Sequence, residues 1–312
     1  MLALHGALSR NMMRATRRFS SSSIVTLAFR GGLPQNAMLA RALRATRRAF
    51  SSSSIVTTEI TDGVATITLN APERLNAMTV EMGEAFEAAV GELREMPPTE
   101  LRAAILTGAG RAFSAGGDLD WLLERHRDSP TNNAKIMRDF YGRFLSLRTL
   151  EVPIVAAING PAIGAGFAVA CACDLRVAAP DAKVGITFVG LGLPPGMGST
   201  HWLPSIVGPQ RANELILTGE VVDGAEAARR GLVLRAAEDP VAEANELAAT
   251  IAAQAPLAVR AAVRAARLVQ EEGLEAALRR EADSQAAAYG SADLAEGVAA
   301  LKERRAPAFA GV

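Results

Sequence analysis

The chain has 312 residues, 49% of them hydrophobic and 21% charged, which suits one large α/β domain with an appendage, or two domains, and excludes a disordered protein. Its 33 basic and 33 acidic residues balance only because nine arginines, with no lysine and no acid, precede Glu59. Without that stretch 24 basic residues face 33 acidic ones, a body near −9, which offers no electrostatic footprint for nucleic acid.

Residues 1–53 read as a targeting segment, rich in Arg, Ser and Ala and free of acids, the composition of a basic amphipathic transit peptide. The segment repeats itself, with RATRRFSSSSIVT at 14–26 and RATRRAFSSSSIVT at 44–57, and Met38 precedes the second copy, so the expectation is either an alternative start at Met38 or a duplication that is an artefact of the gene model. RRAF before SSSS is similar to a mitochondrial processing site, with cleavage near Phe50. The expectation is a disordered leader and a mitochondrial matrix location, with the plastid as the alternative.

From Thr57 onward, strands and helices alternate. TTEITDG and VATITLN predict a hairpin across Asp62–Gly63, and Thr79 opens an amphipathic helix that stops before Pro97 and Pro98. LRAAILTGAG at 101–110 is an apolar strand ending in glycines. A loop, RAFSAGGDL, leads into a helix through DWLLERHR, and after a polar link a second helix runs from Ala134 to about Leu150. VPIVAAIN is again a buried strand, followed by NGPAIGAG and an apolar helix ending near Asp174. The apolar run Val152–Ala179 is interrupted by Asn159, Pro161, Asp174 and Arg176, too soon for a membrane span. Cys171 and Cys173 have no His or further Cys at metal-ligand spacing and read as packing thiols, so no metal is expected. After Pro240 the chain is Ala-rich and helical to about Arg305, a separate helical layer with apolar surface to bury against other subunits. Apolar strands in strand–loop–helix units imply an α/β fold with a mostly parallel, helix-covered sheet.

Two of these units share a design. Strand 101–107 leads through SAGG to a helix that Asp118 can cap, and strand 152–158 leads through GAG to the next helix. Each sets free N–H groups and the positive end of a helix at the carboxyl edge of the sheet, where small residues let an oxygen come close. Two such donors on one point would make an oxyanion hole.

GAGRAFSAGGDL (108–119), PIVAAINGPAIGAGFAVACACDLRVAA (153–179), GLGLPPGMGSTHWLPSIVG (190–208) and ELILTGEVVDGAEAARRGLV (214–233) resemble, in order and spacing, the enoyl-CoA hydratase/isomerase or crotonase family, over roughly Ile55 to Phe309. The resemblance implies a crotonase-like spiral of ββα units with a C-terminal helical region: an acyl-CoA-binding core at 54–240, an oligomerisation region at 241–312, and assembly as homotrimers or homohexamers. It implies an acyl-CoA substrate with no cofactor beyond the coenzyme A it carries. The enolate would be held by the N–H groups of Gly117 and Ala165. PERLNAM (72–78) resembles the segment around the adenine, making Arg74, Ala77 and Ala115 contacts together with Asp118, and Arg304 would approach the phosphates. Asp120 stands where many relatives carry a Lys.

The departure is at the acids. Relatives that hydrate enoyl-CoA use two glutamates, at the positions that read here as Ala168 and Phe188, and neither side chain moves a proton. His201 is the first substitute candidate, with Gly196 as an N–H donor to water or the acyl group. Thr187 should face away from Phe188 on a strand, and Glu124 and His126 should lie at the surface. An acyl-CoA-processing, hydratase/isomerase-like enzyme is the leading expectation. Alternatives are a malonyl-type decarboxylase, a thioesterase, or a non-catalytic acyl-CoA-binding subunit.

Overall fold

A computed structural model of the chain describes residues 48–50, 54–271 and 273–309. The duplicated leader falls outside the described residues except for Arg48–Phe50. These three residues form strand β1, antiparallel to β2 (Val56–Thr61). This departs from the expected disorder, and the reason is elementary: the outer edge of β2 offers a row of backbone donors and acceptors that a passing chain can satisfy.

β2 and β3 (Val64–Leu69) form the expected hairpin. Its turn residues, Asp62 and Gly63, both have positive φ, as a two-residue turn matching the strand twist requires. β3 pairs in parallel with β4 (Ala103–Gly108), and β5 (Ile154–Ile158), β7 (Leu175–Ala178) and β10 (Arg235–Ala236) continue the parallel sheet. β4 and β5 are buried along their whole length, which explains their unbroken apolar sequence. A second, three-stranded sheet joins β6 (Ala162–Ile163), β8 (Val184–Gly185) and β9 (Val221–Val222). From β5 to β8 successive strands alternate between the large sheet and the small one, which winds this part of the chain into a spiral.

The helices close both faces. Thr79 caps α1 (Val80–Arg94) by accepting from Met82 N, and Asp118 caps α2 (Leu119–Arg125) by accepting from Trp121 N. α3 (Pro130–Leu145), α4 (Ala165–Ala172), α5 (Ser199–Val207), α6 (Pro209–Thr218) and α7 (Gly224–Arg229) follow.

The C-terminal segment holds α8 (Pro240–Ala252), α9 (Pro256–Glu271), α10 (Leu274–Ala288) and α11 (Ala292–Glu303), but these are not the separate layer expected. α8 lays Ala244, Ala248 and Ala252 on the sheet beside Ile105, Val155 and Val177, because alanines four apart give a helix one flat, shallow stripe. α10 packs on α3, and α11 lies against Phe188–Leu191. There a side chain at Gly297 would come within 2.7 Å of the Leu191 backbone, so glycine permits the contact. The packing therefore shows no break at 240. No helix among the described residues is long and apolar enough to cross a membrane.

Candidate active site

The loop after β4 is built from backbone bonds and two asparagines. Asn76, fully buried and at positive φ, donates to the carbonyls of Ala109 and Ala112 and accepts from Ala71 N. Asn159 donates to the carbonyls of Gly108 and Gly110. Ser114 pairs in parallel with Ala162, through Ser114 N to the Pro161 carbonyl and Ile163 N to the Ser114 carbonyl. Three residues further along each strand stand Gly117 and Ala165.

Those two residues line one mostly apolar cavity of about 690 Å³. Gly117 forms a bridge with Met78 in which the neighbours Gly116 and Asp118 make the hydrogen bonds, leaving the Gly117 N–H with no partner among the described residues. Ala165 is the first residue of α4, where no carbonyl one turn earlier can accept. The loops converge closely: a Cβ at Gly116 would lie 2.5 Å from the Ile163 carbonyl oxygen and 3.5 Å from the Ala165 nitrogen. Glycine at 116, with φ +90°, is what allows this approach.

The remaining candidates divide. Arg74, Ala77, Ala115 and Asp118 line the same cavity, and Asp118 both caps α2 and pairs with Arg74. Phe188 lines it too, but Ala168 does not; it is wholly buried beneath the second loop. Thr187 does not face away from Phe188 as a strand would make it. β8 ends at Gly185 and Phe188–Leu191 is a 3₁₀ turn, so both side chains reach the cavity.

His201 is a correction. Its ring packs edge-on to Trp202, its Nε2 meets the Gln270 carbonyl, and it does not line the cavity. Gly196 also lies outside the lining, because Gln285 and Tyr141 stand between: a Cβ there would come within 2.6 Å of Gln285 Nε2 and Tyr141 Oη. Arg304 takes the left-handed position that ends α11 and is directed out of the lining. Its neighbours Lys302 and Arg305 line the mouth instead. Glu124 is exposed as expected, whereas His126 is half-buried, its Nδ1 2.7 Å from the Tyr289 carbonyl.

Several residues escaped the sequence reading. Tyr141, Gln285 and Tyr289 line the cavity wall, with Tyr141 Oη donating to Gln285 Oε1 at 2.7 Å and Gln285 Nε2 donating to the Pro194 carbonyl at 2.9 Å. Burial pushes both tyrosine hydroxyls above their ordinary range, so neither ionises readily. Their signal in sequence is faint, since they sit on helices far apart in the chain. Behind this wall Glu281 accepts from Gly198 N at 2.6 Å and Thr200 N at 2.9 Å, bracing the start of α5. Burial raises its carboxyl despite these bonds.

A spiral of strand–strand–helix units with its site at the loops following parallel strands defines an α/β enzyme of the crotonase fold. The chain belongs to the enoyl-CoA hydratase/isomerase family, whose model matches residues 59–312. It is 36% identical over 248 residues to the Mycobacterium tuberculosis protein named "Probable enoyl-CoA hydratase echA8", covering 79% of this chain and 94% of that one. It is 33% identical over 258 residues to the crotonyl-CoA hydratase of Syntrophomonas wolfei, covering 80% and 96%. The crystal structure of an enoyl-CoA hydratase/isomerase from Pseudoalteromonas atlantica superposes with a TM-score of 0.72 at 36% identity, over 82% of this chain and 100% of that one.

Proposed function

We propose that the cavity binds an acyl-CoA thioester and that the N–H groups of Gly117 and Ala165 hold its carbonyl oxygen as the enolate forms. The observation that carries this reading is that Gly117 and Ala165, whose peptide N–H groups have no partner among the described residues, line one cavity from two converging loops. Such donors act where charge develops, in a site poor in water, and need no reorganisation. Arg74, Lys302 and Arg305 at the mouth supply cations for the phosphates. No cofactor beyond the coenzyme A of the substrate enters this scheme.

A hydratase/isomerase-like reaction remains the first assignment, on the strength of the family. One observation favours a second. The carboxylates that line the cavity are Asp118, which caps a helix and pairs with Arg74, and Asp120, which pairs with Lys302. Asp118 is thus committed, and Asp120 sits with Lys302 at the mouth, where this reading puts the phosphates and not the acyl group. Decarboxylation of a malonyl-type CoA needs no base to begin: the bond from the α-carbon to the carboxylate breaks, CO₂ leaves, and the electron pair becomes the enolate. Thioester hydrolysis and a purely binding role are further outcomes of the same test. Crotonyl-, 3-enoyl- and methylmalonyl-CoA are incubated with the enzyme and followed by mass spectrometry. Addition of water supports hydration, a change of chromatographic retention without change of mass isomerisation, loss of CO₂ decarboxylation, and free acid hydrolysis; no product with any of them overturns the enzymatic reading.

We also propose that residues 1–53 direct the chain to the mitochondrial matrix, tested by fusing them to a fluorescent protein. Exposed Leu257 and Leu268 on α9 support a homotrimer or homohexamer, which sedimentation tests.

A further inference from the structure

The mouth of the cavity is electrically closed. Three cations line it, Arg74, Lys302 and Arg305, and each already holds a carboxylate. Arg74 pairs with Asp118, and Arg305 grips Glu296 through two nitrogens at 2.6 and 2.8 Å while also reaching Glu303. Lys302 Nζ lies 2.6 Å from Asp120 Oδ1, joining α11 to α2 across the mouth.

The three carboxylates are not equally committed. Asp118 is largely buried and must keep capping α2, and Glu296 also accepts from Ala308 N. Asp120 is 80% exposed and holds Lys302 as its one hydrogen-bond partner among the described residues. An exposed pair of this kind is weak and readily exchanged, whereas a phosphate brings more charge to the same ammonium.

We infer that the Lys302–Asp120 ion pair is a latch across the cavity mouth that ligand phosphates displace, so that Asp120 limits how much those phosphates contribute to binding. The inference rests on the acyl-CoA reading. Displacement costs the latch and leaves the Asp120 charge near the incoming phosphate, and both effects work against affinity. Asp120 is thus a specificity-determining residue: it selects for what the acyl and pantetheine parts of the ligand contribute.

Calorimetric titration of the full chain with CoA and with pantetheine, which lacks the phosphates, tests this. Asp120→Asn keeps the shape and removes the charge, and should tighten CoA about two- to fivefold, the range of an exposed ion pair. Pantetheine affinity should not change. In a Lys302→Gln background the same substitution should gain less, because no ammonium remains to be released. The latch is overturned if Asp120→Asn leaves CoA affinity unchanged or weakens it, or tightens pantetheine equally. Absence of CoA binding by every form, including the parent, overturns the acyl-CoA reading and the latch with it. A parent that binds CoA while the variants show no coupling overturns the latch alone.

Discussion

The two loops that carry Gly117 and Ala165 are built to opposite standards. The second begins α4, all eight residues of which are buried, and a Cβ at Gly166 would come within 2.7 Å of both Cβ and the carbonyl oxygen of Ser114. The first begins α2, seven residues with only Leu122 buried, and a Cβ at Gly117 would meet nothing nearer than Leu122 at 3.8 Å. One donor is clamped and the other has room. The difference teaches where change is tolerated: around the second loop geometry dominates, around the first the chemistry of individual groups.

Removing the donor on the roomy side is the strongest way to sharpen the contrast. Gly117→Pro deletes an N–H that no described residue uses, so turnover of the folded variant should fall roughly 10²–10³-fold. Unchanged turnover in a folded variant would remove Gly117 from the site. On the clamped side the outcome should reverse. Gly166→Ala should cost about 1–3 kcal/mol of stability by overpacking, seen in urea unfolding, with activity lost through the fold. Equal stability would show that the second loop has slack and would break the comparison.

A smaller effect concerns Glu281, which braces the start of α5. Burial raises its native pKa above the ordinary carboxylate value, so between the two the native state holds more protons than the unfolded one. Its contribution is therefore full below the ordinary value and declines as pH rises through the raised one, by at most about 1.4 kcal/mol per pH unit. Relative to Glu281→Gln, which has no such titration, the parent should lose stability as pH rises across that window. A parallel pH dependence in the two proteins would show that the brace does not titrate there. Smallest of all is a null effect at the end of α4. Burial pushes the thiols of Cys171 and Cys173 up to about 11 and about 12, so iodoacetamide should not label them in the native protein at neutral pH. Rapid labelling would mean that the clamped side opens.

The parts of this architecture legible in the sequence are those set by neighbours in the chain. The Asp62–Gly63 turn, the caps at Thr79 and Asp118 and the fully apolar strands each follow from a few adjacent residues. The family motifs extended that reading to the loops around Gly117 and Ala165. What escaped depends on distant docking or on backbone twist. Thr187 reaches the cavity because the chain turns at Phe188 instead of continuing as a strand, and Lys302 and Arg305 rather than Arg304 face the mouth because Arg304 takes the helix-ending conformation. The dispersal of the C-terminal helices was hidden for a similar reason: alanine stripes tell a helix to pack closely but not against what.

The pairing of Ser114 with Ala162 has a consequence for how such a site can diversify. The pairing that sets the interval between Gly117 and Ala165 is one of peptide groups bonding to peptide groups, and the side chains at 168 and 188 take no part in it. Phe188, which lines the cavity, can then be exchanged without retuning the frame. On the proposed reading, the scaffold would keep its grip on one oxygen while side chains lining the cavity change, so a new reaction would not require the frame to be rebuilt.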